Sequence, residues 1–125
     1  LEKGSSIVEN LSARKITSPN GQELQADEDS PIILMGDSHC LVFREGGDMH
    51  ARGSGLFDQL CHELGIVSDL IGIRGSGANA SRVSLFRKSR QNSHYLNGKK
   101  LVIWCISVRE FSQTVGGWKP VPLGP

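Results

Sequence analysis

The sequence predicts an α/β domain, a three-layer sandwich around a central, mainly parallel sheet, and three observations carry that prediction. Apolar, partly β-branched runs at Ile32 to Met35, Ile66 to Ile73 and Lys100 to Val108 alternate with helical patterns at 56–64 and 78–90. The order strand, helix, strand, helix, strand with short links implies right-handed crossovers, parallel strands and helices on both faces. Each run ends in a polar, turn-forming tip: Gly36-Asp37-Ser38-His39, Arg74-Gly75-Ser76-Gly77 and Ser107-Val108-Arg109-Glu110. Parallel strands finish on one edge, so the three tips are expected to meet there, where open α/β sheets bind ligands.

Each element has its own justification. Residues 1–11 are polar and lack a period. Asn20-Gly21, helped by Ser18-Pro19, sits between two short extended candidates, 13–17 and 22–26, which is a hairpin signal. Residues 1–30 are therefore expected to form an N-terminal extension with a hairpin, and residues 31–125 the α/β domain, within one compact unit. The apolar run Ile32 to Met35 has no polar alternation, which suits a central strand covered on both faces. Gly36 is expected to let the chain turn sharply. Arg44 to Gly55 is a glycine-rich polar loop, of a kind that is usually functional or mobile. Leu56, Phe57, Leu60, Cys61 and Leu64 recur at helical spacing, and Gly65 stops that helix. Ala80, Val83, Leu85 and Phe86 give the second helix its apolar side. Asn97-Gly98 makes a turn before the third strand, and beyond Phe111 the chain is rich in Gly and Pro.

Composition excludes more than it assigns. A chain of 125 residues with 38% apolar and 22% charged residues fits one globular domain with a real core. A net charge of +1 gives no electrostatic case for nucleic acid or a membrane surface. The basic group Arg82, Arg87, Lys88 and Arg90 reads as a solvated helix face. No apolar run is long enough to span a membrane, and no signal peptide is visible. The first residue is Leu1 rather than Met, so the chain is expected to be part of a longer protein. Cys40, Cys61 and Cys105 lack metal-ligand spacing and sit in apolar contexts, so buried free thiols are expected and a structural zinc is not. Gly75-Ser76-Gly77-Ala78-Asn79-Ala80 fits a dinucleotide-binding pattern, but no acidic residue stands about 20 positions on. No cofactor and no metal are expected.

Chemistry concentrates at the first tip. Ser38, directly after the central strand, is the candidate nucleophile; Asp37 and Ser38 also suit simple capping of the following turn. A serine hydroxyl needs an imidazole to take its proton and an acid to orient that imidazole. Asp48-Met49-His50 offers such a pair in the glycine-rich loop. His39 is adjacent to Ser38 and has difficulty aiming at the same hydroxyl, so a substrate or supporting contact is expected of it, and of Asp37 with it. His62 reads as a helix-surface residue, and His94 has no acid beside it. Cys40 is a minor rival nucleophile. Gly75 and Gly77 offer amides to an oxyanion, and Arg74 and Arg109 offer guanidinium forks to an oxyanion or a carboxylate.

Gly36-Asp37-Ser38 after an apolar strand resembles the first block of the SGNH (GDSL-type) hydrolases, and the four-residue form with His39 resembles the bacterial alginate and exopolysaccharide O-acetyltransferases. The likeness runs from Pro31 to Lys119. It implies an SGNH-hydrolase-like, flavodoxin-like fold and O-acetylation or deacetylation of a cell-envelope polysaccharide, in the periplasm or envelope, with a polysaccharide and an acetyl donor as partners. Gly75 and Gly77 fall where that pattern has its glycine block. Its third-block Asn has no counterpart here; Arg74 and Arg109 stand at the strand ends instead. In the family a D-x-H element upstream of the serine supplies the acid and base, whereas Asp48-Met49-His50 lies downstream. Two assignments therefore stay open: Asp48 and His50 do this work, or a pair from a preceding segment does. The alternative from another class is a catalytically silent carbohydrate-binding or scaffold domain of the same fold.

Overall fold

A computed structural model describes residues 7–75, 77–113 and 115–123. Ser76, Thr114, the first six residues of the N-terminal extension and the last two of the chain lie outside that set. The element order is β1 (Ile32–Gly36), α1 (Leu56–Leu64), β2 (Asp69–Gly72), α2 (Gly77–Gln91), β3 (Leu101–Cys105) and α3 (Arg109–Ser112). The three strands form one parallel sheet in the order β2-β1-β3. The run without polar alternation is thus the central strand, as its composition predicts. Among the described residues no helix is long and apolar enough to cross a membrane.

Successive side chains of a strand point to opposite faces, so β1 feeds two apolar clusters. Ile33 and Met35 join Ile71, Leu85 of α2 and Tyr95. Leu34 joins Phe57 and Cys61 of α1, with Leu24 and Ile103 beside them. The helix period explains α1: Phe57 and Cys61 are four apart and lie on one side. Gly65, at φ 66°, closes α1 in the left-handed conformation that glycine adopts without penalty. At the other end the Asp58 carboxylate accepts from the Gly55 amide at 3.0 Å and from Arg44 at 2.6 Å. The Arg44 guanidinium lies over the Phe57 ring, so one buried acid ties the loop to the helix start.

Several expectations change in detail. β2 begins only at Asp69, because Ser68 spends its amide on the Cys61 sulfur and Ile66 stays exposed. β3 ends at Cys105, opposite the last residue of β1, and its first two residues, Leu101 and Val102, are about half exposed. Gly36 is not the turning residue. Its φ is not positive, and a Cβ there would lie 2.5 Å from the Cys105 carbonyl oxygen, so glycine is needed for close approach of β1 to β3. The expected N-terminal hairpin is reduced to one antiparallel bridge, Thr17 with Glu23, closed by the Ser18 amide donating to the Gln22 carbonyl. Residues 16–27 are held to the domain by the Ile16 amide on Gly53, Arg44 on the Leu24 carbonyl and the Asp27 amide on Ser68. The glycine-rich loop is ordered by its own hydrogen bonds, with a Glu45–Arg52 bridge and a 3₁₀ turn at Gly47–Met49.

The buried acid of β2 has the densest polar surroundings. Asp69 is fully buried and accepts from the Tyr95 hydroxyl and from Lys88 at 3.2 Å, with Lys99 3.7 Å away. Lys99 also donates to the Ser30 carbonyl at 2.8 Å. This network sits at the strand starts, opposite the tips, and locks the turn after α2 to β1 and β2.

Candidate active site

The sheet order puts the tips to use. Chain direction across the sheet reverses at β1, with β2 on one side and β3 on the other, and the crevice outside the carboxyl ends at such a reversal is where doubly wound sheets hold ligands. A cleft of about 290 Å³ lies there, lined by Asp37, Ser38 and His39 after β1, Gly75 and Gly77 around the start of α2, and Ser107, Arg109 and Glu110 after β3. The three tips therefore share one opening.

Asp37 does two things at once. Its Oδ1 accepts the His39 amide at 2.9 Å, capping the 3₁₀ turn Ser38–Cys40, and contacts the His39 Nδ1 at 2.8 Å. The carboxylate is nearly buried while the imidazole is about half exposed at 53%. The capping expectation and the catalytic-looking pair are thus one contact. With Nδ1 against a carboxylate, that nitrogen carries the proton and Nε2 is left to accept one. Consecutive side chains of a helical turn diverge, and the ring bonds to Asp37, not to the Ser38 hydroxyl, which has no side-chain partner among the described residues.

Arg109 faces the same cleft. Its amide and Nε approach the Ser107 hydroxyl at 3.4 and 3.5 Å, and among the described residues no carboxylate lies within ion-pair distance of it. That leaves a cation free for an anionic or polarised ligand atom. Glu110 lies directly against Gly77, so close that any side chain at 77 would collide with its carboxylate.

The other sequence candidates lie elsewhere. Arg74 does not line the cleft: its guanidinium is engaged by Glu45 at 2.8 Å and by Asp48 at 2.9 Å. Those bonds hold the Asp48 carboxyl below its usual range, and the same pairing pushes Arg74 further up. Asp48 thus clamps the glycine-rich loop to the end of β2. His50 is exposed, with its ring 5.7 Å from that of Phe43, and both residues have positive φ, at 70° and 61°. Neither Asp48 nor His50 lines the cleft with Ser38. Cys40, fully buried, donates to the Asp37 carbonyl, and burial pushes its thiol up to about 12, which removes it as a rival nucleophile near neutral pH.

The sequence puts Asp37, His39 and Glu110 at the tips, but two of their contacts were not anticipated. The Asp37–His39 pair is itself a D-x-H pattern, hidden because the serine of interest sits inside it. Glu110 carries no motif; only the fold brings it to Gly77. No family model matches the chain, and no curated protein or solved structure matches it either.

Proposed function

We propose that the chain is a three-layer, SGNH-like serine acyl-transfer domain that adds or removes acetyl groups on a cell-envelope polysaccharide, in the periplasm or envelope. The observation that carries the reading is the single cleft at the sheet reversal, which holds a strand-end serine, a carboxylate-held imidazole and an uncommitted guanidinium. In the proposed reaction the Ser38 Oγ attacks the acetyl carbonyl carbon. The bond to the donor oxygen breaks, that oxygen leaves with a proton, and an acetyl ester stays on Ser38. An incoming sugar hydroxyl or water then attacks the ester carbonyl carbon, its proton passing to His39 Nε2 while Asp37 steadies the ring; the bond from that carbon to the Ser38 Oγ breaks, Oγ takes up a proton from solvent, and His39 returns its own to solvent. The Gly75 and Gly77 amides and Arg109 support the charged intermediate. The base for the proton of Ser38 itself comes from the Asp48–His50 element after movement of its loop, or from a preceding segment.

A second reading has one observation behind it. The Ser38 hydroxyl lacks an imidazole partner among the described residues, as in a silent carbohydrate-binding or scaffold domain. Hydrolysis of p-nitrophenyl acetate separates the two. Ser38→Ala is expected to fall to the uncatalysed rate, and Arg109→Ala to lose about 100-fold in kcat, the usual effect of losing one oxyanion donor. Equal rates for the intact chain and Ser38→Ala favour the silent reading for this chain by itself.

A further inference from the structure

We propose that the groove beside the cleft is a subsite for a neutral hexose unit, with Phe111 and Trp118 as its stacking surface and the Glu110 carboxylate as its hydroxyl acceptor. The groove is open, about 360 Å³, and lined by Glu110, Phe111, Gly117 and Trp118. Glu110 lines the catalytic cleft as well, so a chain of sugars lying in the groove leads directly to the position of Ser38.

The aromatic surface is built in advance. Trp118 sits in a Gly- and Pro-rich segment that would not hold a side chain in place by itself, yet its ring has three neighbours from the body of the fold. Trp104 of β3 lies 5.3 Å away, Phe111 of α3 5.6 Å away, and the Arg82 guanidinium of α2 5.6 Å away. Arg82 further donates to the Lys119 carbonyl, securing the backbone beside the tryptophan, and to Asn79 Oδ1. Phe111 is nonetheless 71% exposed. A large ring left in water next to a braced indole, at the mouth of a polar cleft, marks a contact surface.

The chemistry of the lining selects the occupant. A pyranose presents a face of C–H groups, which lies against aromatic rings, and an edge of hydroxyls, which a carboxylate accepts in pairs. Among the described lining residues the only charge is that of Glu110, whose carboxylate stands at the border with the cleft, against Gly77. A uronate there would set two carboxylates side by side, whereas a neutral hexose meets no such repulsion. Arg82 does not reverse this, because its guanidinium is already engaged by the indole face, Asn79 and Lys119.

The inference rests on the acyl-transfer reading for its purpose, which is to hold the unit next to the one that is acetylated, and binding itself is measured without turnover. Calorimetric titration of the intact chain with mannohexaose and with a mannuronate hexamer, followed in parallel by tryptophan fluorescence, is the test. Saturable binding of mannohexaose, at least tenfold tighter than the uronate, is expected. Phe111→Ala should weaken it about tenfold, Trp118→Phe should retain most of it, and Glu110→Gln should narrow the discrimination at least threefold. No saturable binding of either sugar, preference for the uronate, unchanged affinity in Phe111→Ala, or saturable binding of a proline-rich peptide in place of the sugars would each overturn the subsite. Loss of the difference between intact chain and Ser38→Ala in ester hydrolysis, with mannohexaose still bound, overturns acyl transfer by this chain's own residues and leaves the subsite standing.

Discussion

Gly36→Ala tests the claim that the cleft depends on how closely the central strand approaches β3. The added methyl carbon would stand 2.5 Å from the Cys105 carbonyl oxygen and 3.1 Å from the Cys105 Cβ. Real contacts of this kind do not fall below 3.0 Å, so β1 and β3 must separate by about half an ångström at their ends. The obstacle is backbone rather than a flexible side chain, and overpacking of this type costs about 1–3 kcal/mol. Loss of glycine freedom in the unfolded chain returns about 0.4–1 kcal/mol. The net expectation is a destabilisation of about 1–2 kcal/mol, which for a chain of this size lowers Tm by roughly 4–8 °C. Urea and thermal unfolding give the number. On the proposed acyl-transfer reading, ester turnover should fall by more than the loss of folded protein accounts for, because Ser38 and Ser107 follow the separated ends. A variant as stable as the parent, or more so, would refute the reasoning, since it would mean that the two strand ends do not touch.

Three further predictions concern the polar framework. Asp69→Asn strips Lys88 and Lys99 of their buried counter-charge and should cost about 3 kcal/mol by chemical denaturation; a loss below about 1 kcal/mol would show that the network contributes little. The Asp48 carboxyl is held below its ordinary value of 3.8 by Arg74, so its contribution to loop order is complete above that value and disappears as pH falls through the folded-state value. The protection factors of amides in residues 45–52 should therefore stay flat down to about pH 4 and fall below it, and Arg74→Ala should lower them above about pH 4; a fall centred near neutrality would contradict the clamp. Burial keeps the Cys40 thiol neutral in the folded state up to about 12, whereas the unfolded thiol ionises near 9.0, so Cys40 favours the folded state less and less as pH rises above 9.0. Ellman's reagent at pH 8 should leave Cys40 unreacted until denaturant is added; rapid native labelling would show the thiol to be open.

Where local chemistry decided the outcome, the sequence could be read. The spacing of Leu56, Phe57, Leu60, Cys61 and Leu64 with Gly65 behind them gives the bounds of α1, because periodicity and cap agree. The unbroken run Ile32 to Met35 identifies the central strand for the same reason, and the meeting of the three tips follows from parallel pairing. What could not be read depended on partners distant along the chain. Asp69 finds Lys88, Tyr95 and Lys99 only once the crossover through α2 has folded back, and Arg74 is claimed by Glu45 and Asp48 across a folded loop. The pairing of Asp37 with His39 was legible in principle, since a carboxylate two residues before an imidazole can cap the turn and reach the ring together.

The outer rim of β3 has a consequence for handling the protein. Leu101 and Val102 stand half in water, and beyond them the described sheet has no further strand. Such a rim invites a neighbouring molecule to dock alongside and extend the pleat. Lys99 is occupied with Ser30 and Asp69, which leaves the exposed Lys100 as the nearest positive charge to keep copies apart. Added salt mutes that repulsion, so dilute, low-salt buffers suit this chain best in storage.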